Sequence, residues 1–266
     1  MGTEVLAETL RERRRSLLWW ALGMAALISL TVAFYPSVKD SSGLSTYAED
    51  LPKSLRGLFV GGEIDITSGP GYLNSQVFAV AAPLVMLIFS IGAGASAIAG
   101  EEERGTLDLL LAHPVSRGDF VLQRFGAMLV LVLGLAAALL ITVAATAKAV
   151  DLPIGFGPLL AASMSNALLA VLFGALALAS GAALAGRGRA IAIAAGLAVA
   201  AWMLDGLGQA VSWLDPVRPI SPFYQAIGTD PLRDGAPWGS WAILAGVTAL
   251  LVWVAVLGLR RRDIGQ

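Results

Sequence analysis

Six long apolar runs, separated by short charged stretches, set the plan of this chain. A membrane-crossing helix needs about 20 mostly apolar residues. Runs of that length cover residues 16–35, 77–99, 125–147, 159–185, 190–213 and 239–259. Between the fourth and fifth runs stands Gly186-Arg187-Gly188-Arg189, whose glycines and charges predict a tight turn in place of a continuing helix. Ahead of the first run, Val5, Leu6 and Leu10 share a helical face while Glu4, Glu8, Glu12 and the arginines turn elsewhere. That pattern predicts a short helix lying in the membrane interface within residues 1–15. Two intervening stretches, 36–76 and 214–238, are longer than turns. The first contains Ser68-Gly69-Pro70-Gly71 and a possible amphipathic helix over Leu51–Phe59. The second contains Pro216, Pro219, Pro222, Pro231 and Pro237, which forbid one continuous helix and predict short or re-entrant pieces. The expected fold class is an all-α membrane protein with six transmembrane helices, a single transmembrane domain over residues 1–266.

Composition sharpens this. The chain is 57% hydrophobic and 14% charged, with a mean hydropathy of +0.75. A soluble globular protein carries roughly 25% charged residues, so no water-soluble core could hide this apolar surface, and the bilayer is the expected solvent. Net charge is −1 and gives no reason to expect a nucleic-acid partner. There is no cysteine and one histidine, His113. Disulfides, thiolate sites and a His-cluster metal site are therefore excluded, and no metal site is expected. Arginine placement orients the chain. With the N-terminus inside, Arg11, Arg13, Arg14, Arg15, Arg104, Arg117, Arg124, Arg187, Arg189, Arg260, Arg261 and Arg262 fall on the inner side. Only Lys39, Lys53, Arg56, Lys148, Arg218 and Arg233 fall outside. Both termini are thus expected to be cytoplasmic. An arginine-rich start before an apolar run also fits a cleaved signal peptide. Here the run is longer than the roughly 7–15 residues of a signal core, so a retained helix is expected. The excess of Arg over Lys, with abundant Ala and Gly, hints at a GC-rich bacterial genome.

The chemistry-bearing block lies in the loop 100–124. An acidic triplet, Glu101-Glu102-Glu103, begins where the second run ends. Gly105 allows a sharp change of direction, and Thr106 can cap a following helix. Leu107, Leu110 and Leu111 repeat at i, i+3, i+4 and form one apolar face, and Pro114 ends that helix just before Arg117. From spacing alone, such a helix either lies in the interface and orients two spans or enters a groove of a partner protein. Within the spans, Asn166, Asp205 and Gln209 stand out as polar. Buried acids in membranes often line pathways; equally, Asp205 could be solvated near the interface or bonded to a neighbouring helix.

The pattern E-E-x-x-G-T-L-x-x-L-L-x-x-P-V-S-R over Glu101–Arg117 resembles the first cytoplasmic loop of ABC-2-type permeases. Ser221-Pro222-Phe223-Tyr224, Asp230-Pro231-Leu232-Arg233-Asp234-Gly235 and the ending Arg260-Arg261-Arg262-Asp263-Ile264 are similar to the loop before the last span and to the C-terminus of that family. The resemblance implies six spans, an N-terminal elbow helix, a cytoplasmic coupling helix and short re-entrant outer helices. It implies a bacterial cell-membrane permease that exports a hydrophobic or amphipathic substrate such as a drug, lipid or peptide. Some relatives serve metalloprotein maturation instead. Glu101, Glu102, Glu103, Gly105, Thr106, Leu107, Leu110, Leu111, Pro114 and Arg117 would meet two copies of a separate ABC ATPase. A second permease subunit, identical or homologous, would complete the path, surrounded by membrane lipid. The chain itself has no P-loop, since Lys39, Lys53 and Lys148 follow Val38, Pro52 and Ala147 where glycine is required. ATP and Mg would belong to the partner, with no cofactor in this chain, which is not expected to be an enzyme. An intramembrane hydrolase is disfavoured because no histidine or cysteine lies in any span. A non-transporting scaffold stays open.

Overall fold

The computed structural model describes residues 4–39, 68–105, 116–152, 154–184, 186–209 and 211–261, which hold helices and turns and no strand. The helices are α1 (Glu4–Ala33), α2 (Tyr35–Lys39), α3 (Gly69–Ala97), α4 (Ala99–Glu103) and α5 (Arg117–Ala149). They continue with α6 (Phe156–Leu184), α7 (Arg187–Gly208), α8 (Pro231–Asp234) and α9 (Trp238–Arg261). Six of them, α1, α3, α5, α6, α7 and α9, are long and apolar enough to cross a membrane. The end of the bundle that carries Glu4 and Arg261 is called the base below, and the other end the top.

The starts of the first three long helices depart from expectation, α5 beginning at Arg117 inside the expected loop 100–124. The interfacial helix expected within residues 1–15 is not set off from the first span, because Glu4–Ala33 is one unbroken helix. No Gly or Pro occurs between Glu4 and Leu22, and Leu, Arg, Glu and Ala are strong helix formers. This segment also packs along α5: a Cβ on Gly126 would lie 3.2 Å from Leu6, and one on Gly134 would lie 3.3 Å from Leu17. The second span begins at Gly69, inside the stretch expected to be loop. Ser68 caps it in extended geometry, its Oγ accepting from the Gly71 N–H at 3.3 Å. Pro70 sits in the first turn, where its missing N–H is harmless and its φ is already helical.

Pro83 leaves a further mark on α3. Residues Leu73–Ala81 form a π-helical segment, and the Ala82 N–H bonds to the Val77 carbonyl, five residues back. The next carbonyl, Phe78, would find its donor at position 83, where proline has none. Asn166 of α6 fills the gap, its Nδ2 donating to the Phe78 carbonyl at 3.3 Å and to the Ala162 carbonyl at 3.1 Å.

Helix α6 is the hub. Its faces join the core formed with α1, α3 and α5, a second with α3, α7 and α9, and a third near the base with α5 and α9. Small residues permit this. A Cβ on Gly94 of α3 would collide with the Gly174 carbonyl of α6, so the two backbones touch. Gly92, two residues earlier, has nothing within 4 Å of its Cβ position among the described residues.

Between α7 and α9 the proline-rich stretch forms short pieces, as expected. They are a 3₁₀ turn (Asp215–Ile220), a π turn (Tyr224–Gly228) and α8. The chain turns back into the bundle here. Ser221 Oγ donates to the Ala201 carbonyl at 2.8 Å, about 10 Å below the end of α7 at 1.5 Å per residue. The Phe223 and Phe173 ring centroids are 6.0 Å apart.

Candidate functional site

The acidic triplet is drawn into the bundle at its base. Helix α3 ends at Ile98 (φ −122°, ψ −60°), and α4 carries the triplet across the base. Glu101 is buried, and its Oε1 lies 3.2 Å from Nη2 of Arg124, itself 8% exposed. Arg124 Nη1 donates to Thr9 Oγ1 at 3.0 Å, and Thr9 in turn donates to the Val5 carbonyl at 2.7 Å. The Arg124 guanidinium also lies 5.2 Å from the Phe120 ring centroid. Arg104, largely exposed, approaches Glu101 at 3.5 Å. A buried charge is tolerated only when paired and hydrogen-bonded, and here three helices, α1, α4 and α5, supply the partners.

Glu103 acts on a different helix. Its Oε1 accepts from the Arg187 backbone N–H at 2.7 Å. Arg187 is the first residue of α7, after Gly186 at φ +93°, so Glu103 satisfies an otherwise free N–H and places negative charge at the positive end of the helix dipole. Glu102 is half-buried, and its carbonyl accepts from the Gly105 N–H at 3.0 Å. Gly105 has φ +69°, the left-handed conformation that glycine permits. Thr106, Leu107, Leu110, Leu111 and Pro114 lie outside the described residues, as do His113 and Leu51–Phe59. On the far side, Ser116 caps α5 through the Asp119 N–H at 3.1 Å. Arg117 Nη1 then donates to the Leu259 carbonyl near the end of α9, at 3.1 Å. The segment 106–115 is therefore flanked on both sides by ties to the spans.

The polar residues within the spans are also engaged. Asn166 is buried against α3 as described, with its Oδ1 buried and without a hydrogen-bond partner among the described residues. Asp205 Oδ1 accepts from both Nε and Nη2 of Arg218, at 3.2 and 3.1 Å. Arg218 also stands 5.0 Å from the Tyr224 ring centroid and 3.5 Å from Asp215. Gln209 is half-buried just past the end of α7. The structure does not bring Asn166 and Asp205 together: one joins α6 to α3, the other joins α7 to the 3₁₀ turn.

Sequence reasoning missed Thr9, Arg124 and Arg218 as partners. Arg124 had a usable signal, a lone cation entering an apolar run, and Arg218 stands close to a buried acid in sequence. Thr9 had none, since a threonine among exposed charges on a helix is unremarkable.

A family model described as ABC-2 family transporter protein matches residues 4–264, nearly the whole chain. No curated protein matches it.

Proposed function

Because this chain belongs to the ABC-2 family of transporter proteins, we propose that its base receives a separate ATPase and passes that subunit's movement to the spans. The chain is a multi-pass membrane component of an ABC transporter and is not itself catalytic. The observation that supports coupling is the set of ties on either side of residues 106–115. Glu101 holds α1 and α5 through Arg124. Glu103 holds α7, and Arg117 holds α9. A pull on the intervening segment is then delivered to four spans together. Leu107, Leu110 and Leu111 supply the apolar face for the ATPase groove. The base is cytoplasmic, in line with its arginines. Two ATPase copies hold ATP and Mg, a second permease subunit completes the path, and a hydrophobic or amphipathic substrate is exported.

The test is affinity purification of the full chain from its membrane in mild detergent, comparing wild type with Leu110→Asp/Leu111→Asp. A P-loop ATPase is expected to co-elute with wild type and to be absent from the variant, which still inserts. Undiminished co-elution with the variant would refute docking through this face. Wild type eluting alone would favour the scaffold reading.

A further inference from the structure

We propose that the small cavity between α1, α3 and α5 at the base is a site for a chloride-sized anion, held by Arg13 and Arg124. Neither the site nor its occupant depends on the coupling reading above.

The cavity measures about 10 Å³, with Ala93, Ala97 and Met128 among its apolar walls. That volume admits one particle of about the size of water. Its polar lining is Thr9, Arg13 and Arg124, and no carboxylate lines it. Arg124 brings a donor that needs an acceptor. Its side chain is 8% exposed. Nη1 is used on Thr9 and Nη2 on Glu101, whereas Nε is buried with no hydrogen-bond partner among the described residues. Buried N–H groups are rarely left unmet, because burial strips their water without return. Arg13, half-buried on α1, adds a second guanidinium with no hydrogen bond or ion pair among the described residues.

Charge and donor count then decide between water and an anion. Arg124 and Arg104 each act on Arg13 more strongly than Glu101 does, and Glu101 is shared by Arg104 and Arg124. Glu8 and Glu12 also act on Arg124, but both are exposed and form no ion pair with either arginine among the described residues. The cavity wall is therefore net positive. A water needs acceptors for two hydrogens. The lining side chains offer one at most, the second lone pair of Thr9 Oγ, whose own hydrogen goes to the Val5 carbonyl. A halide only accepts, so it suits a wall of donors, and N–H bonds between ions are the strong ones. Phosphate and sulfate are too large for such a space. Chloride is slightly larger than water, and the long, half-buried Arg13 side chain has the freedom to accommodate it. Bound there, the anion joins α1 to α5 through their arginines.

The test is the thermal unfolding midpoint of the full chain in mild detergent, titrated with sodium chloride against sodium gluconate at constant ionic strength. Each tenfold rise in chloride above its dissociation constant should raise the midpoint by roughly 3–5 °C. Bromide should do the same, and sulfate should not. Arg13→Gln should move the onset of the rise to chloride about tenfold higher or more, and Arg13→Lys should move it less. Arg14→Gln, at an exposed position outside the cavity, should leave the onset where it is. A midpoint indifferent to which anion is present would overturn the proposal in favour of a water. A chloride effect that sulfate reproduces, or that Arg13→Gln leaves intact, would overturn it in favour of binding to the open basic surface. Bromide located by anomalous scattering in crystals of the wild-type chain fixes the position without any variant. Bromide against Arg13 and Arg124 Nε is expected, and bromide confined to other positions would overturn the proposal.

Discussion

Removing the Glu101 carboxylate leaves Arg124 as an uncompensated charge inside the base. Both side chains are nearly enclosed, at 10% and 8% exposure. Deleting one partner of such a pair costs about 3–5 kcal/mol. Arg124 would keep Thr9 at 3.0 Å and the Phe120 ring, so Glu101→Ala should fall near the lower figure, about 3 kcal/mol. At roughly 2–4 °C per kcal/mol for a chain of this size, the unfolding midpoint should drop by about 6–12 °C. Replacing both members, Glu101→Ala/Arg124→Met, removes the stranded charge. The double variant should lose less than Glu101→Ala alone, with a coupling energy of about 2 kcal/mol. Arg104 reaches the same carboxylate but is 59% exposed, so Arg104→Ala should cost no more than about 0.5 kcal/mol. The assay is tryptophan fluorescence during thermal unfolding in one detergent at one scan rate. Strictly additive losses in the double variant, or an Arg104→Ala loss equal to that of Arg124→Met, would refute the buried-pair account.

Asn166→Ala should cost about 1–2 kcal/mol by leaving the Phe78 carbonyl without its side-chain donor. Adding Pro83→Ala restores a backbone N–H, so in the same melt the double variant should lose less than the sum of the single losses. Gly94→Ala should lower stability by about 1–3 kcal/mol through collision with the Gly174 backbone, whereas Gly92→Ala should stay within about 0.5 kcal/mol. A pH effect is expected at the top, where Asp230 (φ 44°) accepts from Asn74 Nδ2 at 3.2 Å. Burial, helped by nearby Asp234, raises its carboxyl above the usual carboxylate value against the opposing pull of Arg233. With the folded value raised, its contribution is fully present below the ordinary carboxylate pKa and is lost as pH rises through the folded value. Asp230→Asn, which tolerates the left-handed backbone, should therefore gain on wild type in midpoint as pH increases; a pH-independent difference would contradict this.

Run lengths and charges alone specify six helices apolar and long enough to cross a membrane, though not where the first three begin. Burying apolar side chains in hydrocarbon and satisfying backbone groups internally are local requirements, legible in run lengths and charges. The turns at Gly105 and Gly186 were legible too, because a positive φ is a local demand that glycine meets. Gly69-Pro70-Gly71 misled because its residues suit a turn as well as a first helical turn, and Ser68 decides between them only through its cap. The acidic triplet stood out in the sequence; where its carboxylates point did not. Glu101 meets an arginine 23 residues away, which meets a threonine 115 residues away. Asn166 finds a carbonyl 88 residues away. Such pairings depend on which helix faces which and at what height. Only packing around α6 decides that, because glycine contacts such as Gly94 against Gly174 fix the register between helices that sequence periodicity leaves free to slide.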